Sequence, residues 1–149
     1  MSIREICNRS VVCATSDTTA ADAAKLMRQH HIGNVVVVDR QDGDRTPLGV
    51  VTDRDLVVEV VAAGLDPAVL KLGDLLVGRL VTAEESTSYA ETIRIMALHG
   101  VRRLPVVNGS GFLVGIVSVD DLLPQLASPL AALADLAGRS RRYEMQTRK

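Results

Sequence analysis

The chain has 149 residues, enough to bury one good hydrophobic core or two small cores packed together. Apolar residues make up 47% of the sequence and the formal net charge is −1, so composition argues against a disordered or nucleic-acid-coating protein. Aromatic residues are only 2%, so a flat ring bound by this chain would lie against aliphatic side chains or backbone.

Nothing in the sequence indicates a membrane span, a metal site or a catalytic constellation. No apolar run approaches the roughly 20 residues of a transmembrane helix, and the first residues do not have the pattern of a secretory signal. Because no targeting signal is evident, we predict a cytoplasmic protein in which Cys7 and Cys13, the only cysteines, are reduced. Two cysteines and three scattered histidines do not have metal-ligand spacing, and no nucleophile has a recognisable His/Asp partner.

The first predicted elements are a short helical lead-in at 3–7, a strand near 11–13 and an amphipathic helix. Thr19 and Asp22 have the spacing of a capping box that begins this helix. His31 occupies its end, where a left-handed conformation is less favourable for histidine than for glycine.

Two strands and a second helix complete the unit. The continuous β-branched run at 32–38 is typical of a strand buried on both faces. A Gly/Asp turn leads to a third strand at 48–51, and a helix at 53–63 is closed by Gly64. We expect the first two strands to be parallel and the third to return antiparallel through a hairpin. The order is therefore β-α-β-β-α.

The same order then occurs a second time. A shift of 69 residues places 3–39 on 72–108, and a shift of 66 places 49–55 on 115–121. Such self-similarity predicts two copies of one structural unit. The linker at 64–71 is short and apolar, so the copies should pack on each other.

The last segment is predicted to be a separate helix. Ser128 has the position of an N-cap and Pro129 that of the first helical residue. The basic end of this segment is interpreted as a solvated helix terminus, so nucleic acid is not an expected partner. We divide the chain into a first domain at 1–68, a second domain at 69–128, and a C-terminal helix and tail at 129–149.

Each copy ends with a hydroxyl residue three positions before an aspartate, at Thr52/Asp55 and at Ser118/Asp121. One interpretation is a capping box at the start of a helix. The other is a ligand site, because helix N-terminal N–H groups suit phosphate oxygens and a carboxylate suits a ribose diol. Arg54 could reach a phosphate, whereas the second motif has no arginine, so two such sites should differ in affinity or ligand charge.

At these motifs the chain resembles a tandem pair of cystathionine-β-synthase (CBS) domains, the arrangement known as a Bateman module. The resemblance covers 3–127 and rests on the Gly-apolar-apolar-hydroxyl motifs at 49–55 and 115–121 and on the run at 101–107. The residues after the first motif are typical of small standalone bacterial members. The resemblance implies an α/β (α+β) fold: two β-α-β-β-α units related by pseudo-two-fold symmetry, with two adenosyl pockets in the cleft between their sheets.

The family's ligand-binding residues can be carried over to two sites. The first site would consist of Thr52, Arg54 and Asp55 around ribose and phosphate, with Val12, Cys13, Ala14, Asn34 and Val35 around the base. The second would consist of Ser118 and Asp121, with Val81, Thr82, Ala83, Arg103, Leu104 and Pro105. The family's Arg-x-Pro pattern is absent from the first copy, which has Asn34 and Val36 in place of Arg103 and Pro105.

The resemblance implies a regulatory binding module without enzymatic activity or a required cofactor. AMP, ADP or ATP is the favoured ligand, and S-adenosylmethionine or NAD is less favoured. A ligand bridging the two units would shift the population of their relative geometries, and an effector protein of unknown identity would respond. A homodimer formed through the helices is also expected. The alternative is a structural or dimerisation module whose ligand sites have lapsed.

Overall fold

The computed structural model describes residues 1–41 and 43–148, in which each repeat forms a three-stranded sheet with helices. The strands are β1 (Cys13–Ala14), β2 (Asn34–Gln41), β3 (Asp44–Thr52), β4 (Ala83–Glu84), β5 (Arg103–Val107) and β6 (Leu113–Ser118). The helices are α1 (Ala20–His30), α2 (Asp53–Asp55), α3 (Leu72–Leu75), α4 (Tyr89–His99) and α5 (Val119–Thr147). A 3-10 turn spans Ile3–Glu5, and a π-helical segment at Leu56–Val61 continues α2.

The two sheets have the same topology, with strand orders β1-β2-β3 and β4-β5-β6. In both, the first pair is parallel and the second pair antiparallel, which confirms the predicted α+β class and strand directions. The first strand was predicted too early, because Asn8 still pairs with Ile116 of the other sheet and only Cys13–Ala14 form a strand beside β2.

Strand β2 is buried on both faces, as its valine run predicts. Val35 and Val37 belong to the core of the first repeat, and Val36 and Val38 pack with Leu113 between the two sheets. The second repeat has its own core, formed by Ile3, Ala83, Tyr89, Met96, Leu104, Val106, Val117 and Leu122. The cleft between the repeats is therefore closed at its centre by aliphatic packing.

Each of the two lead-in segments, 3–7 and 72–76, packs into the core of the other repeat. Ile3 is fully buried in the core of the second repeat, and its N–H donates to the Thr87 carbonyl at 2.9 Å. Leu72 is fully buried in the core of the first repeat, and its N–H donates to the Thr18 carbonyl at 2.8 Å. The predicted boundary between 68 and 69 therefore divides the sequence repeats without separating their cores.

Helix α5 corrects the prediction of a break at Ser128. It is one helix of 29 residues that contains Pro124 and Pro129. An internal proline removes one helical hydrogen bond, but both prolines are exposed, so water can reach the carbonyl oxygens left without a partner. Within the part of the chain that the structure describes, no helix is long and apolar enough to cross a membrane.

The helix predicted at 53–63 is present in a modified form. Only Asp53–Asp55 is α-helical, and the following Leu56–Val61 is π-helical. Leu56 and Val60 are buried in this segment, while Gly64 follows it with a φ of 70° as the predicted terminator. The π segment has no counterpart in α5, so the helices after the two hydroxyl/Asp motifs differ in shape.

Candidate functional site

The first motif forms a complete capping box where β3 meets α2. The Thr52 N–H donates to Asp55 Oδ2 at 2.8 Å, and the Asp55 N–H donates to Thr52 Oγ1 at 3.1 Å. Thr52 pairs with Asn34 in the β2–β3 register, which fixes the motif beside the start of β2.

The second motif has the same box at the start of α5. The Ser118 N–H donates to Asp121 Oδ2 at 2.7 Å, and the Asp121 N–H donates to Ser118 Oγ at 3.3 Å. The Ser118 hydroxyl also donates to Asp121 Oδ2 at 2.7 Å.

Capping uses one carboxylate oxygen of each aspartate. Asp55 and Asp121 are half-buried, and every hydrogen bond that their carboxylates accept ends on Oδ2. Neither Oδ1 accepts a hydrogen bond from another residue within 1–41 and 43–148. The capping interpretation and the ligand-site interpretation are therefore compatible, since Oδ1 can still accept from a ribose hydroxyl.

The backbone N–H groups of α2 do not support the predicted phosphate contact. The Asp53 N–H donates to the Gly33 carbonyl at 2.9 Å, the Arg54 N–H to Asp53 Oδ1 at 2.9 Å, and the Asp55 N–H to Thr52. The cause is the β2–β3 register, which places the Gly33 carbonyl beside the start of α2. A phosphate near this motif would have to be bound by side chains.

Asp55 lines a cavity of about 260 Å³, which we call the Asp55 cavity. Its other walls come largely from the second repeat. They include Leu75, Leu76, Val77, Gly78, Arg79, Leu80, Val81, Val101, Arg103, Leu104 and Pro105, with Leu48, Gly49 and Val50 of β3.

Ser118 and Asp121 line a second cavity of about 200 Å³, the Asp121 cavity. Its other walls come largely from the first repeat. They include Asn8, Ser10, Val11, Val12, Ile32 and Asn34, together with Arg103, Ile116 and Asp120.

The structure groups the predicted residues differently from the sequence-based assignment. Asp55 shares its cavity with Val81, Arg103, Leu104 and Pro105, which were assigned to the other site. Ser118 and Asp121 share theirs with Val12 and Asn34. Each cavity thus combines the motif of one repeat with strand residues of the other, because each lead-in segment crosses to the opposite sheet.

Several predicted residues do not line either cavity. Val35, Ala14 and Ala83 are core residues, and Cys13 packs between the sheets with its Sγ 3.4 Å from Arg45 Nη1. The motif residues Thr52 and Arg54 and the strand-edge residue Thr82 also lie outside both linings.

Four polar lining residues were not predicted from the sequence: Asn8, Ser10, Arg79 and Asp120. Ser10 and Arg79 are equivalent under the shift of 69, and Asp120 is equivalent to Arg54 under the shift of 66. The repeat alignment contained this signal, but the lead-in crossing that brings these residues to the cavities is not visible in the sequence.

The glycine three positions before each hydroxyl allows this crossing. A Cβ atom at Gly115 would lie 2.9 Å from Cys7 Sγ and 3.1 Å from the Asn8 carbonyl oxygen. A Cβ atom at Gly49 would lie 2.5 Å from a methyl carbon of Leu76. At Gly115 the Asn8 backbone leaves little room for a Cβ atom, whereas at Gly49 the contact is with the end of the flexible Leu76 side chain.

A charged contact also holds the first lead-in on the second repeat. Arg4 Nη2 lies 2.8 Å from Glu85 Oε1, and Arg4 Nε donates to Glu85 Oε2 at 3.1 Å. The hydrogen bond from Arg4 lowers the pKa of the Glu85 carboxyl below its usual value, and the same contact raises the pKa of Arg4. The pair fixes the segment that leads into the Asp121 cavity.

The described residues show no grouping typical of a metal centre. No three His, Cys, Asp or Glu side chains among them lie together in a way that could hold a metal ion. The polar groups of the two cavities instead suit a ligand with hydroxyl groups and an apolar ring.

Comparison with known sequences identifies relatives across most of the chain. The CBS domain model matches residues 3–62 and 72–128. The uncharacterized protein MK0525 of Methanopyrus kandleri is 37% identical over 123 residues, covering 83% of this chain but only 61% of that protein. Hypoxic response protein 1 of Mycobacterium tuberculosis is 37% identical over 123 residues, 83% of each protein.

Solved structures show the same fold. Hypoxic Response Protein I with two coordinated zinc ions has a TM-score of 0.74 and 35% identity, over 83% of this chain and 98% of that one. The CBS domain protein PAE2072 from Pyrobaculum aerophilum, complexed with AMP, has a TM-score of 0.74 and 25% identity, over 86% of this chain and 99% of that one. The chain therefore belongs to the CBS domain family and contains two CBS domains in tandem.

Proposed function

We propose that this protein is a regulatory module that binds adenosyl compounds in the Asp55 and Asp121 cavities. The observation that carries the proposal is the half-buried aspartate in each cavity, whose Oδ1 accepts no hydrogen bond from the described residues. A ribose diol supplies two O–H donors for such an oxygen. Among adenosyl compounds, AMP, ADP and ATP are favoured over S-adenosylmethionine and NAD.

The regulatory part of the proposal follows from the composition of the cavity walls. Both repeats contribute to each cavity, so a bound ligand prefers the relative geometry in which the two walls fit it. Ligand binding then shifts the population of that geometry, and an effector protein responds to the changed surface. The module itself binds and does not catalyse, and it acts in the cytoplasm.

A related protein supports the choice of ligand class. PAE2072, at 25% identity, was solved in complex with AMP. The aliphatic walls formed by Val81, Leu104 and Pro105 are consistent with an adenine ring, since this chain has few aromatic residues to stack on it.

The proposal is tested by thermal unfolding of the pure protein with AMP, ADP, ATP, S-adenosylmethionine and NAD. At about 1 mM, a ligand with a dissociation constant near 10 μM stabilises the protein by about 2.7 kcal/mol per site, which is a shift of several degrees. Asp55→Ala and Asp121→Ala should reduce the shift.

The matched control is Asp22→Ala. Asp22 is also the third residue of a capped helix, and it lies outside both cavities. Its removal should cost about 0.5–2 kcal/mol of capping stability at most and leave the ligand-induced shift intact. The absence of a shift for all five compounds would overturn the proposal.

The dimerisation alternative is supported by a different observation. An apolar groove of about 380 Å³ between α4 and α5 is open to solvent. Its lining includes Leu123 and Leu126, and the exposed Leu130, Leu133 and Leu136 continue along α5. A second copy of this chain would cover these side chains.

Sedimentation equilibrium tests this alternative. Leu126→Glu, in the groove, should weaken self-association, whereas Leu98→Glu, on α4 but outside the groove, should not. A dimer without any adenosyl ligand would favour the structural role alone, and a monomer at all concentrations would reject the dimer.

A further inference from the structure

The two cavities contain equivalent positions that differ in charge. Arg79 of the Asp55 cavity is equivalent to Ser10 of the Asp121 cavity, and Arg103 is equivalent to Asn34. The first difference makes the Asp55 cavity the more basic one, and the second does not separate the two cavities because Arg103 lines both.

The helix starts differ in the same direction. Asp120, which lines the Asp121 cavity, is equivalent to Arg54, which precedes Asp55 and is exposed. Among the charged lining residues, Arg79 therefore adds a positive charge to the Asp55 cavity alone, and Asp120 adds a negative charge to the Asp121 cavity alone.

The resulting charge inventories have opposite signs. The charged residues of the Asp55 cavity are Arg79, Arg103 and Asp55. Those of the Asp121 cavity are Asp120, Asp121 and Arg103. Arg103 lines both cavities. It pairs with Ser118 in the β5–β6 register, which places it at the Asp121 cavity, and it also lines the cavity that contains Asp55. When its guanidinium turns to one cavity, the other loses it, and the Asp55 cavity remains the more positive in either case.

These charges discriminate between phosphorylated and unphosphorylated ligands. Guanidinium groups bind phosphate oxygens through paired, charge-assisted hydrogen bonds. Two adjacent carboxylates repel a phosphate. The Asp120 N–H has no hydrogen-bond partner among the described residues and can donate to an uncharged ligand oxygen.

We propose that the Asp55 cavity binds an adenosyl compound with a phosphate and that the Asp121 cavity binds one without a phosphate, either uncharged or cationic. The inference rests on the proposed function, because it assigns ligand classes to the same two cavities. The module would then compare the levels of two kinds of adenosyl compound rather than measure one.

AMP and adenosine are the matched probes, because they differ only in the phosphate. Calorimetric titration of Asp121→Ala reports on the Asp55 cavity, and titration of Asp55→Ala reports on the Asp121 cavity. We expect AMP to bind about tenfold or more tightly than adenosine in the first variant and more weakly than adenosine in the second. In Asp121→Ala, added salt should weaken AMP binding to the Asp55 cavity and leave adenosine binding nearly unchanged.

Exchange of equivalent residues tests the cause of the preference. Arg79→Ser in the Asp121→Ala background should weaken AMP binding by about tenfold and change adenosine binding by less than about twofold. Asp120→Arg in the Asp55→Ala background should raise the affinity for AMP relative to adenosine. The ratio of the two affinities is the readout, because a general structural defect changes both together.

The outcomes separate the two proposals. If neither probe nor any other adenosyl compound binds the unmodified protein, the proposed function fails. If both probes bind with the same affinity ratio in both cavities, only the charge assignment is overturned. Thermal unfolding without ligand checks the fold of each variant. If Arg79→Ser or Asp120→Arg does not fold, Arg79→Gln or Asp120→Asn takes its place and must change the ratio of AMP affinity to adenosine affinity in the same direction.

Discussion

At the scale of single residues, His31 and Gly100 show how one requirement is met in two ways. His31 ends α1 and Gly100 ends α4, both in the left-handed region, with φ values of 54° and 64°. Each N–H donates to a helix carbonyl, of Met27 or Met96. Left-handed conformation costs a residue with a Cβ about 1–2 kcal/mol, so His31 carries a cost that Gly100 avoids.

His31→Gly should therefore stabilise the protein, and no packing is lost because His31 is exposed. The gain should be only roughly 0.5–1 kcal/mol, because glycine loses more backbone entropy on folding than histidine. Urea unfolding measures the change. Gly100→Ala is the reciprocal variant and should destabilise by about 1 kcal/mol. If both substitutions stabilised the protein, or both destabilised it, the left-handed conformation would not explain the difference between His31 and Gly100.

The helix starts show what could and could not be predicted at this scale. The sequence predicted the cap of α1 correctly, since Thr19 accepts a hydrogen bond from the Asp22 N–H at 3.2 Å. Ser88 caps α4 in the same way, accepting from the Glu91 N–H at 3.2 Å. The hydrogen bond from the Asp53 N–H to the Gly33 carbonyl could not be predicted, because it depends on the register of two strands.

At the scale of elements, the lead-in segments join the repeats into one module. Each one contributes a buried residue to the opposite core and then passes over a glycine into a cavity. Periodicity within a repeat predicts the order of helices and strands but contains no information on which core a short segment joins. The uninterrupted α5 was missed for a related reason, since proline signals a helix start only when the preceding residues are not already helical.

Gly115→Ala should displace the first lead-in and cost about 1–3 kcal/mol, because the added methyl group meets Cys7 and the Asn8 backbone. Gly109→Ala is the control, since a Cβ atom there has no atom within 4 Å. The change in unfolding free energy from urea titration should be within about 0.5 kcal/mol for the control. A similar cost for both variants would argue against the crossing as the reason for the glycine.

The Arg4–Glu85 contact makes the lead-in sensitive to acid. Because the pKa of Glu85 is lowered in the folded state, its stabilisation is present above the unfolded value of about 4.3 and is lost as pH falls through the folded value. The stability difference between the unmodified protein and Glu85→Gln should therefore shrink between about pH 6 and pH 3.

Glu5→Gln, in the same lead-in but without an ion pair to a described residue, is the control for this experiment. It should show little difference from the unmodified protein at the upper end of the range. A Glu85→Gln difference that stays constant with pH would show that the carboxylate charge does not hold the lead-in.

At the scale of the whole molecule, the cavities exist because two similar units face each other and exchange segments. The sequence repeat and the family motifs predicted two sites at equivalent positions, and the motif aspartates do lie in two cavities. The cavities join each motif aspartate to strand residues of the other repeat, unlike the sequence-based assignment, because a linear alignment does not show which surfaces of the two units meet. Residues such as Arg79, outside any motif, entered the site only through that assembly.

A crystal structure of the protein grown with AMP at a saturating concentration would show whether the nucleotide binds in the Asp55 cavity. We predict AMP there, with ribose hydroxyls on Asp55 Oδ1, the base between Val81 and Pro105, and the phosphate on Arg79 or Arg103. If both cavities were empty of nucleotide, or AMP were bound only outside them, the proposed function would be wrong.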